Sequence, residues 1–141
     1  MAESRVLRTM GKVYSVGYGR WKDARRFAKY LRELKVNILI DVRRFPVSKN
    51  PDFNKDKLKE ILENYGIKYY SFSDLLGGYR KEGYRKFLMS DQYREGVNKI
   101  ADLIKGKTAA IMCLEHKTKY CHRRYIMQSL SDLGIEVILL E

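Results

Sequence analysis

The chain has few residues of the kinds that staple a fold or carry it through a membrane. Among its 141 residues there are two cysteines, Cys113 and Cys121. The two prolines, Pro46 and Pro51, fall in one stretch, which reads as a loop. No apolar run approaches the roughly 18 residues that a membrane span needs, so no membrane partner is expected. Met1 to Lys12 carries charge but no apolar core of the kind that opens a secretory leader. A reducing cytoplasm is therefore the expected location, where a structural disulfide has little place. Acidic residues are also short, 17 against 29 lysines and arginines, giving a formal net charge of +12. A positive field of that size favours anionic small molecules or nucleic acid as partners, although solubility alone accounts for it equally well.

What is present is enough for a core. Hydrophobic residues make up 45% of the chain and charged residues 33%, with apolar runs recurring regularly. Length and pattern predict a single domain spanning residues 1–141, with no internal repeat or linker. Lys12 to Tyr18 reads as a strand, and Val36 to Val42 as a second whose continuous apolar character suits burial on both faces. Ile67 to Phe72, Thr108 to Leu114 and Ile135 to Leu140 are the third, fourth and fifth.

Between the strands, apolar residues at three-to-four spacing predict helices. They are Trp21, Ala24, Phe27, Ala28, Leu31 and Leu34; then Leu58, Ile61, Leu62 and Tyr65, capped by Asn54; then Val97, Ile100, Ala101 and Ile104. A last helix has Tyr125, Ile126, Leu130 and Leu133 as its inner stripe. Ser73 to Tyr84 reads as a polar loop, with a short helical turn around Phe87-Leu88-Met89. Strand–helix alternation of this kind predicts a three-layer α/β fold: an open, mostly parallel five-stranded sheet with helices on both faces. Strand order does not follow from the pattern.

In such sheets ligands bind beyond the carboxyl ends of the strands. The candidate residues are placed there. Gly17 ends strand one. Asp41 and Arg43 end strand two. Gly77 and Gly78 follow strand three, Glu115 follows strand four, and Cys121, His122 and Arg123 open the last helix. Asp41 and Glu115 are candidates for acid–base work, with His122 assisting as a proton carrier. Asp41 is equally readable as half of a structural ion pair with Arg43 or Arg123, because an unpaired buried carboxylate is costly. Cys121, near a helix N-terminus and beside basic residues, is a candidate nucleophile, against the alternative of a small buried apolar residue. Arg43 and Arg123, with Gly17, Gly77 and Gly78, are candidates for holding an anion. Tyr79, Arg80, Lys81 and Arg85 alternate aromatic and basic character, as in nucleic-acid-binding surfaces. Arg124 reads as a solvated charge.

Cys113, His116, Cys121 and His122 offer four zinc-type donors within ten positions. Their spacing matches no standard pair of knuckles, and Cys113 is expected to point into the core. The metal-free reading is preferred and no cofactor is expected. Neither a dinucleotide fingerprint nor a P-loop is present.

Several of these residues form an ordered set: Val16-Gly17-Tyr18-Gly19, Asp41-Val42-Arg43-Arg44-Phe45-Pro46, Pro51-Asp52-Phe53-Asn54, Leu76-Gly77-Gly78, Met112-Cys113-Leu114-Glu115 and Cys121-His122-Arg123. In order and spacing the set resembles the domain of unknown function 488 family over nearly the whole chain. Family members more often have histidine where this chain has Tyr18. The resemblance implies an α/β fold with a motif-lined edge, and roles linked to nucleotides or nucleic acids. The leading expectation is an enzyme acting on a phosphate-bearing nucleotide or nucleic acid. The alternative is a non-catalytic nucleic-acid-binding domain using the first helix and the Tyr79–Lys86 loop.

Overall fold

A computed structural model describes residues 10–78 and 80–141. Five parallel strands form one sheet in the order β3-β2-β4-β1-β5. They are β1 (Lys12–Gly17), β2 (Ile38–Asp41), β3 (Lys68–Ser71), β4 (Thr108–Cys113) and β5 (Glu136–Leu139). The helices are α1 (Ala24–Glu33), α2 (Lys55–Asn64), α3 (Ser73–Leu76), α4 (Tyr84–Phe87), α5 (Asp91–Leu103) and α6 (Arg123–Asp132). The α/β expectation holds, and the sheet is parallel throughout.

Strand β4 is central because its residues are apolar on both sides. Ala109, Ala110, Ile111 and Met112 are all fully buried, in the register Lys12↔Thr108 with β1 and Ile38↔Ala109 with β2. Alternation along the strands divides the core. Tyr14, Val16, Leu39, Ala110 and Met112 pack against α1 and α2, whereas Val13, Ile38, Ile40, Ala109 and Ile111 pack against α5 and α6. These two layers of helix around one sheet make three layers. Fully burying a side chain such as Leu31 or Leu58 contributes about 1.5–3 kcal/mol, so the packing rather than local propensity fixes the helices.

The structure corrects several local expectations. Each strand is shorter than predicted by one to three residues. The Ser73–Tyr84 loop contains α3 and leads into α4, which covers Tyr84–Phe87 rather than centring on Leu88. Asn54 precedes α2 but makes no side-chain cap; its Oδ1 instead accepts from the Ser48 amide at 2.6 Å, tying down the loop after β2. On α6 the inward positions are Arg123, Ile126, Met127 and Leu130, while Leu133 is 44% exposed and Tyr125 half-buried.

The connections set the site. The chain leaves β1 and β2 toward α1 and α2 on one face, and leaves β4 toward α6 on the other. Strand β4 lies between β1 and β2, so the loops diverge around its carboxyl end. Divergence of this kind opens a crevice at a topological switch point.

Candidate functional site

Strand β2 ends on Asp41, which is completely buried inside an apolar run. A carboxylate there must be fully hydrogen-bonded, and it is. Its Oδ1 accepts from the Arg43 amide and Nε, both at 3.0 Å. Its Oδ2 accepts from Arg43 Nη2 at 2.7 Å and from the Tyr69 hydroxyl at 2.5 Å. Arg43 Nη1 donates onward to the Phe53 carbonyl at 2.8 Å and to the Tyr18 hydroxyl. Burial opposes the Arg43 charge, and the Asp41 carboxylate more than offsets it, so its pKa rises. Burial and the same carboxylate also push the Tyr69 phenol upward. Of the two partners foreseen for Asp41, Arg43 is the one used.

Strand β4 ends on Cys113, beside which the chain returns through a 3-10 turn, Thr118–Tyr120, to Cys121 and His122. The turn is pinned from below. The Ser15 and Thr118 hydroxyls, 0% and 2% exposed, share a hydrogen bond of 2.7 Å, and the Cys121 amide donates to the Thr118 carbonyl. His122 is the residue that precedes α6, so Cys121 lies just outside the helix, within reach of its Arg123 amide. The donor atoms of Cys113, Cys121 and His122 all lie within 4.8 Å of one another. Cys121 Sγ is 3.4 Å from His122 Nδ1. The cysteines act as a proton-sharing pair. A hydrogen bond from Cys113, together with His122 and the Arg123 amide, brings the Cys121 thiol well below its ordinary range, while Cys113, holding the shared proton, is raised.

The other imidazole nitrogen, Nε2, is 2.8 Å from the Val42 carbonyl. A carbonyl only accepts, so Nε2 carries a proton, and Nδ1 faces the thiols, as a lone pair in the neutral ring and as an N–H donor to the Cys121 thiolate in the charged one. Gly78 lies against the same ring: a Cβ there would sit 2.6 Å from Nδ1. Gly17 is required for a similar reason, because a Cβ would strike the Glu115 carbonyl.

Above Cys121 and His122 opens a cleft of about 760 Å³. Its walls bear Arg85, Lys119 and Arg124 among Tyr84, Tyr120 and Tyr125, with Gly78, Gly83 and Glu115 at the rim. The Arg124 guanidinium lies 4.6 Å from the Tyr125 ring centre. Hydrogen bonds from Arg85 and then Arg124 lower the Tyr125 phenol pKa. The wall is thus cationic and aromatic together.

The residues foreseen from sequence separate into three groups. Cys121, His122, Gly78, Arg85 and Glu115 line the cleft. Asp41 and Arg43 lie next to it but are sealed, with 0% and 4% exposure, so Arg43 holds an internal carboxylate rather than an external anion. Arg123 likewise faces inward: it is fully buried, its Nη2 donates to the Glu115 main-chain carbonyl, and its Nε and Nη1 have no partner among the described residues. Its charge acts instead on Cys113.

Glu115 is exposed and its carboxylate accepts from the Lys117 amide, so the pairing of Asp41 and Glu115 as acid and base is not built. Gly77 sits against Arg44 and the Ser73 carbonyl. Arg80 folds back onto the Gly77 and Asp74 carbonyls and over Phe87, leaving Lys81 exposed; Tyr79 lies outside the described residues.

Cys113, the last residue of β4, packs against the core on the α5–α6 side as expected, and its half-buried sulfur also lies beside Cys121. His116 takes no part in the cluster. Arg124, read as a solvated charge, lines the cleft with Tyr84 and Tyr120. No spacing rule connects these residues, because they come from the end of β4, from α4, from the 3-10 turn and from the start of α6.

The domain of unknown function DUF488 matches residues 23–130. The chain belongs to this family. The DUF488 match covers α1 through most of α6 and so includes Asp41, Arg43, Gly78, Cys113, Cys121 and His122. No curated protein and no solved structure matches the chain. Among the described residues, no helix of this DUF488 member is long and apolar enough to cross a membrane.

Proposed function

We propose that the protein is an enzyme acting on a phosphate-bearing nucleotide or nucleic acid bound in the cleft above β4. The observation that carries this reading is the placement of Cys121 and His122, with Cys113 against them, in a cleft lined by both cations and aromatic rings. Arg85, Lys119 and Arg124 are suited to phosphate oxygens, and Tyr120, 69% exposed, offers a ring for a base, beside Tyr125 stacked on Tyr84. Thiol and imidazole groups at the switch point of a parallel sheet supply the reacting centre. Asp41 and Arg43 hold the loop beside it in shape without touching substrate.

The test is a panel of nucleoside phosphates and short oligonucleotides, with binding and turnover measured separately. Lys119→Ala with Arg124→Ala weakens binding, whereas Cys121→Ser leaves binding in place and abolishes turnover. Turnover that persists in Cys121→Ser and His122→Ala sinks the enzymatic reading. One observation favours a second reading, a non-catalytic nucleic-acid-binding domain. Arg25, Arg26, Lys29 and Arg32 are all exposed on the outer face of α1, remote in sequence from the cleft. On that reading, affinity survives loss of the floor residues and falls when the α1 cations are neutralised.

A further inference from the structure

We infer that Cys113, Cys121 and His122 form a site for a zinc-type divalent cation, with its remaining coordination position open to the cleft. Two thiolates and an imidazole are the donor set that a borderline-soft cation prefers over hard ions such as magnesium. Geometry is close to what such an ion requires. Around a tetrahedral zinc, sulfur-to-sulfur and sulfur-to-nitrogen separations are about 3.8 and 3.6 Å, as zinc–ligand bond lengths dictate. The three donor atoms lie within 4.8 Å of one another, and Cys121 Sγ to His122 Nδ1 is 3.4 Å. Closing onto an ion takes side-chain adjustments of about an ångström or less and no rearrangement of the backbone.

Independent features point the same way. The Val42 carbonyl fixes the proton on Nε2, which turns the Nδ1 lone pair toward the sulfurs. An imidazole whose distal N–H is held by a carbonyl is the usual outer arrangement around a zinc-binding histidine. Gly78 keeps the space beside Nδ1 clear, since any larger residue would place a carbon 2.6 Å from it. The donors also stand on firm supports: the end of the central strand, a turn anchored through the buried Ser15–Thr118 hydrogen bond, and the residue that begins α6.

Among the described residues the cluster contains three donors, and two of them, Cys121 and His122, line the cleft. Three protein donors with an open position mark a catalytic rather than a structural zinc site. Water or a substrate oxygen fills that position, where the ion lowers the pKa of bound water or polarises a phosphoryl group. This catalytic use rests on the reading of the cleft as an active site; the metal site itself does not.

The experiment uses the full chain in reductant, loaded with zinc and then desalted. One ion per chain by elemental analysis is expected. Substitution by cobalt should give the intense absorption of thiolate-to-metal charge transfer. Cys113→Ser, Cys121→Ser and His122→Ala should each weaken zinc binding by more than about 100-fold, above the loss usual for outer-shell changes. Zinc washing out of the wild-type chain, or cobalt bound without thiolate charge transfer, overturns the inference even if the variants do not fold. Retention of zinc by all three variants overturns it as well. Lys119→Ala with Arg124→Ala separates the two readings. Zinc bound without any nucleotide affinity leaves the metal site standing and removes the proposed function. Nucleotide turnover in zinc-free protein leaves the proposed function standing and overturns the catalytic use of the ion.

Discussion

At the residue scale, the Asp41–Arg43 pair is the most constrained feature of the molecule. Both members are buried, and each satisfies the other through three side-chain hydrogen bonds. Asp41→Ala leaves an uncompensated buried guanidinium and should cost about 3–5 kcal/mol, measured by urea unfolding. A loss below ~1 kcal/mol would show that the pair is not sealed as described. Tyr69 adds a pH signature. Its phenol is neutral when protonated, and its pKa is raised on folding by burial and by Asp41. Its contribution is therefore present below the unfolded tyrosine value of about 10 and is lost as pH rises beyond that. Tyr69→Phe should flatten the alkaline decline in stability; equal slopes for the two proteins would refute the assignment. The need of Asp41 for a partner is legible in the sequence, because a carboxylate in an apolar run has no other recourse. The cysteine–histidine cluster is not legible there. Its assembly depends on where β4 ends and on a main-chain carbonyl at Val42, which no side-chain motif encodes.

At the element scale, apolar spacing identifies α1, α2 and α5 well because their inner faces meet a flat sheet. It assigns α6 less well. That helix is rotated to bring Arg123 inward, held by the Glu115 carbonyl, so Arg123, Ile126, Met127 and Leu130 form the stripe and Leu133 turns out. Helix ends follow their own chemistry. Asp23 accepts from the Arg25 and Arg26 amides, and Ser90 accepts from Tyr93. Asp23→Ala and Ser90→Ala should each cost about 1 kcal/mol in chemical denaturation. Asn54→Ala should act differently, freeing the loop after β2 through loss of the Ser48 contact. It is expected to raise hydrogen exchange at Ser48 more than at the first turn of α2. Gly78→Ala, by pressing on the His122 ring, should shift its imidazole ¹⁵N resonances while leaving the fold in place.

At the scale of the whole molecule, alternating strands and helices are enough to predict three layers. The order β3-β2-β4-β1-β5 is not predictable from them, since sequence does not say that β4 inserts between β1 and β2. That insertion creates the crevice. The cationic wall above it predicts that binding of a single-stranded oligonucleotide weakens with salt. Removing Lys119 or Arg85 should lower the salt slope by about 0.7 per lost phosphate contact. An unchanged slope would move the binding surface elsewhere, with the exposed face of α1 next in line. The bond from His122 to Val42 joins residues 80 apart in the chain. Such a contact forms only after β2, β4 and α6 have docked, so loop-closure entropy is spent before the thiols and the imidazole meet. The cluster is consequently a late arrival in folding, and the imidazole resonance of His122 should reach its native position in the slowest refolding phase.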